Sequence, residues 1–262
     1  MNSKIEERVN RELIDHTEKD VLGNSYKLKD RFSHIWDYPS RLRLFDRMNH
    51  LSSNLSNKVV LDYGCGRGEE SLKYLKNDAK KVIGIDISPV YIESAIEKVV
   101  EGGFNPEQYE FLTMDAHKLE FESNSFDLVI GQGILHHLEP EVALNEIYRV
   151  LRPKGRVVLL EPLADNPLLR VFRFLTPSAR TIDEAPFTKK QIMKFEGKNN
   201  WKSHTIYCGV IEAPVAMLTS IVTPNKPRNW LLRTSDKLEA FLHSNNFLNS
   251  WNQYVLLVLE KK

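Results

Sequence analysis

Sulfur is scarce in this chain, with two cysteines, Cys65 and Cys208, among 262 residues. Two thiols make no disulfide framework, so a reducing, cytoplasmic setting is expected. Neither cysteine sits in a spacing that suits metal ligation, and no metal ion is expected. Long apolar runs are missing as well. None approaches the ~18 residues of a membrane-spanning helix, and the first residues, Met1 to Glu7, lack the apolar core of a signal peptide. Charge of one sign is also absent, because 36 Lys and Arg face 35 Asp and Glu for a net charge of +1. Such balance gives no long-range attraction to nucleic acid or to an anionic membrane, and neither is an expected partner. No internal repeat or low-complexity tract occurs. What is present, 42% hydrophobic and 27% charged residues, is enough for one sizeable globular core without covalent or metal staples.

The order of patterns along the chain is more informative. The stretch up to Asn57 reads as helical, with Leu44, Met48 and Leu51 on one face after the turn-like Ile35-Trp36-Asp37-Tyr38-Pro39. From Lys58 short apolar strands alternate with amphipathic helices. Val59-Val60-Leu61 and Val82-Ile83-Gly84-Ile85 each end in an aspartate, Asp62 and Asp86. Ser88 and Pro89 suit the N-cap and first position of a helix that carries Ile92, Ala95, Ile96 and Val99 on one face. Further strands are expected at Glu110 to Thr113, Phe126 to Ile130 and Arg156 to Leu160. A helix after Pro140 should stop at Pro153 and Gly155. Thr188 and Gln191 form a capping-box pattern. Thr205 to Cys208 and Tyr254 to Leu259 read as two closing strands, separated by helices and loops. Continuous apolar strands between helices predict an α/β fold, a Rossmann-like mostly parallel sheet covered on both faces.

The strongest chemical signal is Val59-Val60-Leu61-Asp62-Tyr63-Gly64-Cys65-Gly66-Arg67-Gly68. A strand, an acid and glycines at alternate positions make a bend at the carboxyl edge of the sheet where backbone closely approaches a ligand. The dinucleotide fingerprint Gly-x-Gly-x-x-Gly is not met, since its third glycine would fall on Glu69. A carboxylate there also suits a pyrophosphate poorly. Asp62-x-Gly64-x-Gly66-x-Gly68 with Asp86 resembles instead the motifs of class I S-adenosylmethionine-dependent methyltransferases, over about residues 35–161.

That resemblance implies seven strands with the last antiparallel, and S-adenosyl-L-methionine as cofactor. It implies that Gly64, Cys65 and Gly66 line the amino-acid part of the cofactor, with Asp62 anchoring the ammonium group. Asp86 would accept hydrogen bonds from both ribose hydroxyls, a task that suits a carboxylate's two oxygens. Ile87 lies beside it. Asp115, next to Ala116, matches the acid that binds the adenine amino group. Gly131-Gln132-Gly133-Ile134-Leu135-His136-His137-Leu138 is similar to the ubiquinone-biosynthesis-like branch, which acts on small molecules. Gln132 then borders the cofactor, and no Asn/Asp-Pro-Pro-Tyr motif is present. A neutral imidazole can take a proton during methyl transfer. His136 and His137 are therefore catalytic candidates, and His136 aligns better with the family's histidine near the methyl group.

The segment after the fifth strand, with the ending Tyr254 to Lys261, resembles a bacterial group of small-molecule methyltransferases and offers Glu161, Arg180 and Asp183 as substrate candidates. Tyr38 and Arg41 are candidates to meet the methionine carboxylate from an N-terminal lid spanning residues 1–57; packing against the core is the alternative for both. Residues 58–262 are then the methyltransferase domain, elaborated over about 162–250. The expected activity is methyl transfer to oxygen, nitrogen or carbon of a small-molecule acceptor. A non-catalytic cofactor-binding protein on the same fold and a protein methyltransferase are the alternatives.

Overall fold

The structure, a computed structural model, describes residues 3–17, 27, 32–175, 183–197, 201–244 and 251–262. Seven strands form one sheet in the order β3-β2-β1-β4-β5-β7-β6. They are β1 (Val59–Tyr63), β2 (Lys81–Asp86), β3 (Tyr109–Thr113), β4 (Phe126–Gln132), β5 (Leu151–Pro162), β6 (Trp201–Cys208) and β7 (Tyr254–Lys261). Pairing is parallel from β3 across to β5, and β7 runs antiparallel to both of its neighbours.

Alternate residues on these strands face opposite layers, and both layers are apolar. Val60, Val82, Leu128, Ile130 and Val158 pack on one side, and Leu61, Ile83, Ile85, Val129 and Val157 on the other. This two-sided burial explains why the strands read as unbroken apolar runs, and a one-residue slip would exchange every side chain between the layers. On the first side lie α3 (Pro39–Leu51), α4 (Glu69–Lys76) and α5 (Pro89–Glu101), which bury Leu44, Met48, Tyr74, Ile92 and Val99. On the second lie α6 (Pro140–Val150) and α8 (Lys189–Glu196), through Leu144, Ile147, Ile192 and Phe195. The short α2 (His34–Asp37) precedes α3, and α7 (Pro167–Leu175) follows β5. The sheet order reverses between β1 and β4, which opens a crevice at the carboxyl ends of those strands.

Several local expectations changed in tertiary context. Pro153 and Gly155 lie inside β5, because α6 ends at Val150 and pairing begins at once with Leu151 opposite Phe126. The register then shifts, with Lys154 at φ 63°, because β5 advances from Leu151 to Arg156 while β4 advances only from Phe126 to Leu128. Ser88 occupies the position before α5, but its hydroxyl accepts from Thr17 Oγ1 at 3.2 Å instead of capping the helix. The Thr188–Gln191 capping box forms in both directions.

The elaboration before β7 contains α9 (Glu212–Val222) and α10 (Trp230–Ser244). Buried glutamates hold it to the body at helix starts. Glu239 accepts from the backbone N–H groups of Gly209, Val210, Ile211 and Glu212 at 2.8–3.2 Å. Glu212 in turn accepts from Ser40 N at 2.9 Å in the first turn of α3. Both arrangements place carboxylate oxygens where the N–H groups of a helix start point. No helix among the described residues is long and apolar enough to cross a membrane.

Candidate functional site

The crevice holds two adjoining clefts that share Gly64, Gly66 and Gln132. One, the larger when its open mouth is counted (about 810 Å³), is bordered by Asp86, Ile87, Asp115, Ala116 and His137. The smaller, about 590 Å³, is bordered by Asp62, Cys65, Arg67 and Tyr74. The glycine bend is the wall between them. Gly64 N and Cys65 N both donate to Ile85 O, at 3.0 and 2.9 Å, tying the bend to the end of β2. Gly64 has φ +74°, and a Cβ there would stand 2.9 Å from the Ile134 side chain. Gly68, at φ +78°, would meet Ala95 at 2.8 Å. Only glycine fits such positions without strain.

Three carboxylates stand at the tips of β1, β2 and just beyond β3. Asp62 is buried, with Oδ2 accepting from Ser71 Oγ at 2.5 Å. Burial pushes its pKa up to about 7 against the pull of that hydrogen bond. Asp86 accepts from Gly66 N at 3.0 Å through Oδ2 and from Ser88 N at 2.9 Å through Oδ1. Burial also holds Asp86 above the usual carboxylate range, although these bonds and nearby His16 pull the other way. Each of its oxygens keeps a second lone pair for another donor.

Asp115 Oδ1 accepts from His117 N at 2.9 Å and from His117 Nδ1 at 2.8 Å. Glu139 N donates to His117 Nε2 at 2.8 Å, so the ring proton sits on Nδ1. Burial works to raise the Asp115 pKa, but the His117 bonds outweigh it and leave the group below its ordinary value. Asp115 Oδ2 is buried without a hydrogen-bond partner among the described residues. A buried acceptor in that state lacks a donor that a ligand would bring.

The histidine pair divides differently from the sequence alignment. His137 borders the larger cleft and His136 does not. His136 is buried, its Nδ1 2.7 Å from Glu161 Oε2 and its Nε2 3.9 Å from Glu184. Glu161, offered as a substrate contact, is fully buried. It accepts from the N–H groups of Ile134, Leu135 and His136 at 3.2, 2.8 and 3.3 Å. It therefore holds the turn that carries both histidines, and it borders neither cleft.

Tyr38 and Arg41 also fall outside both clefts. Tyr38 is fully buried and donates to Gln253 Oε1 at 2.7 Å. Arg41 donates to Trp36 O and stacks over Trp36, Phe45 and Tyr254, its carbon 4.3–5.3 Å from the ring centres. Both follow from α3 packing over β5, β6 and β7 instead of over the crevice. Arg180 lies outside the described residues.

The element covering the larger cleft is α1 (Ser3–Thr17), through Arg8, Val9, Glu12 and His16. Asp183, the third substrate candidate, anchors it. Its carboxylate receives Arg11 Nε at 2.7 Å and a second Arg11 nitrogen at 2.9 Å, and its carbonyl receives Arg8 at 2.8 Å. Glu12 lies 3.2 Å from His137 Nδ1 and 3.3 Å from His16 Nε2. Burial and neighbouring His136 lower the His137 pKa. Burial also opposes a charge on His16, yet Glu12 and Asp86 raise its pKa on balance. The α1 helix lies within the segment expected to form a helical lid, but none of its residues, and not His117, was among the site candidates. The four-residue spacing of Glu12 and His16, which puts both on one helix face, was the available signal.

Comparison with known proteins agrees with this architecture. The model of a methyltransferase domain matches residues 61–159. Demethylmenaquinone methyltransferase of Staphylococcus aureus strain JH9 is 30% identical over 205 residues, covering 67% of this chain and 83% of the relative. Geranyl diphosphate C-methyltransferase of Streptomyces coelicolor, solved with Mg2+, geranyl diphosphate and S-adenosylhomocysteine, aligns with TM-score 0.60 at 13% identity, over 82% of this chain and 76% of that one. Phosphoethanolamine N-methyltransferase 2 of Haemonchus contortus aligns with TM-score 0.63 at 17% identity, over 96% of this chain and 59% of that one. At such identities the solved structures establish the fold. With the curated relative, the chain belongs to the class I S-adenosylmethionine-dependent methyltransferases, and S-adenosylmethionine is its cofactor.

Proposed function

We propose that the chain methylates a small-molecule acceptor held between α1 and the turn after β4. S-adenosylmethionine supplies a methyl group already activated on a sulfonium. The observation that carries the reading is the convergence of Asp62, Asp86 and Asp115 around the Gly64–Gly66 bend. In this assignment Asp62 receives the ammonium group, and the Gly64-Cys65-Gly66 backbone borders the amino-acid part. Asp86 takes the ribose hydroxyls, with Ile87 beside it. The unpartnered Asp115 Oδ2 takes the adenine amino group, next to Ala116. Gln132 borders both clefts. His137 meets the acceptor, while His136 and Glu161 position the turn. Orienting the reactants supplies much of the rate in such a site.

Coverage of the cleft by α1 favours a small acceptor over a protein side chain. The relatives' names assign methylation to carbon in one case and nitrogen in another, so the fold leaves the acceptor atom open. A cytoplasmic setting fits two buried, unpaired cysteines.

Asp86→Ala tests the assignment. Two charge-assisted hydrogen bonds of about 1.5–3 kcal/mol each are at stake, so cofactor Kd by calorimetry should rise at least about tenfold. An unchanged Kd would remove Asp86 from the site. Release of S-adenosylhomocysteine with candidate acceptors separates turnover from cofactor binding alone.

A further inference from the structure

Three imidazoles and three carboxylates gather where α1 crosses the turn after β4. They are His16, His136 and His137 with Glu12, Glu161 and Glu184, and no more than 20% of any of these side chains is exposed. Of the two arginines on α1 that reach toward this region, Arg8 donates to the main-chain oxygens of His136 and Asp183, and Arg11 pairs with Asp183. Burying several carboxylates is costly unless positive charge or donors accompany them. Glu161 meets that need through the turn's own N–H groups. Glu12 instead stands between two imidazoles, its Oε1 3.2 Å from His137 Nδ1 and its Oε2 3.3 Å from His16 Nε2.

We propose that Glu12, His16 and His137 bind one divalent first-row transition ion, zinc by the character of the ligands, and that this ion clasps α1 to the body of the domain. One ligand atom from each residue lies within 4.8 Å of the others. In a tetrahedral site with bonds of about 2.0–2.1 Å, neighbouring ligand atoms stand about 3.3 Å apart. Glu12 reaches each imidazole at close to that spacing, His137 through Oε1 and His16 through Oε2, and the three ligand atoms, within 4.8 Å of one another, need to contract around a single carboxylate oxygen. Two nitrogens and one oxygen suit zinc or a similar ion and disfavour magnesium or calcium, which take oxygen ligands.

Three protein ligands leave a coordination position open, as in catalytic zinc sites. All three residues border the larger cleft with Gln132 and Gly133, so that position opens into the cleft in which the proposed function puts the acceptor. Where the acceptor presents a phenol, enol or alcohol, its oxygen would bind there and release its proton to solvent at a lower pH than in water. This statement about the acceptor rests on the methyl-transfer reading. Ion binding does not, because its ligands and its readout are independent of the cofactor.

The test uses the full-length protein freed of metal by chelation and then titrated with Co2+. One Co2+ per chain is expected, with the visible absorption of a nitrogen- and oxygen-ligated ion, displaced by Zn2+. Glu12→Gln, His16→Asn and His137→Asn should each raise the Co2+ Kd at least tenfold, while His204→Asn, on the exposed side of β6, should not. Glu12 and His16 sit on α1, outside both apolar clusters of the core, so the circular dichroism of their variants should match that of the unaltered protein. Zn2+ should also slow amide hydrogen exchange over residues 3–17. Absence of stoichiometric binding would overturn the proposal. So would binding that survives Glu12→Gln and His16→Asn but is lost in Glu184→Gln, which would move the ion to the neighbouring His136, His137 and Glu184 group.

Discussion

Replacing Glu161 by alanine strips four donors, three of them in buried contacts, of their acceptor at once. These are the N–H groups of Ile134, Leu135 and His136 and the His136 ring at Nδ1, all within 2.7–3.3 Å of the carboxylate. Each donor left unsatisfied costs about 1–3 kcal/mol, and some will recruit water or shift. A loss of about 3–5 kcal/mol is expected, comparable with breaking one buried charged pair. That is a large part of a domain's ~5–15 kcal/mol of stability. Glu161→Gln should cost less, about 1–2 kcal/mol, because its carbonyl still serves two donors while its amide group opposes the others. Urea titration followed by intrinsic fluorescence measures both. Because the turn carries His137, residual activity of the glutamine variant should show a changed kcat with cofactor Kd little altered. A destabilisation below about 1 kcal/mol for the alanine variant would refute the structural role. A glutamine variant of native stability with abolished kcat would return Glu161 to the reacting groups.

Two other outcomes follow from the same site. Asp62 has a folded pKa of about 7, against about 3.9 in an unfolded chain. The folded state therefore holds the proton more tightly, so this group's contribution to stability is full below about pH 4 and is lost as pH rises through about 7. Asp62→Asn should flatten that part of the stability profile and gain up to a few kcal/mol near pH 8, while weakening cofactor binding; an unaltered slope in urea titrations at about pH 5 and 8 would contradict it. Gly64→Ala adds a methyl group 2.9 Å from Ile134 to the strain of φ +74°, whereas Gly103→Ala, at φ +72°, meets nothing within 4 Å. The backbone cost of about 1–2 kcal/mol is common to both. Only Gly64→Ala should also raise cofactor Kd, by about tenfold or more, and equal effects on binding in the two variants would contradict the cradle role of the bend.

Much of this architecture could be read in the chain because it depends on local pattern. Unbroken apolar strands announced a sheet buried on both faces, and the acid–glycine spacing after β1 placed a ligand at its edge. Boundaries shifted where neighbours competed with local signals. Pro153 and Gly155 read as a helix end, but pairing with β4 on either side carried the strand through them with a shift of register. The Ser88 hydroxyl was drawn from its own helix to Thr17.

The strand tips and the backbone bend are legible in the chain, since both arise from contacts between residues close along it and from side-chain period. Which polar groups reach the clefts depends instead on how distant segments pack. His136 and His137 are adjacent and chemically identical, yet Glu161, 25 positions from His136, secures one in the interior and leaves the other at the cleft. Tyr38 and Arg41 have ligand-binding chemistry but are consumed by Gln253, Trp36 and nearby rings. The cover over the crevice comes from α1, docked through Arg11 and Asp183, 172 positions apart. Such long-range pairings depend on how packed layers bring distant segments together, and no local periodicity encodes them.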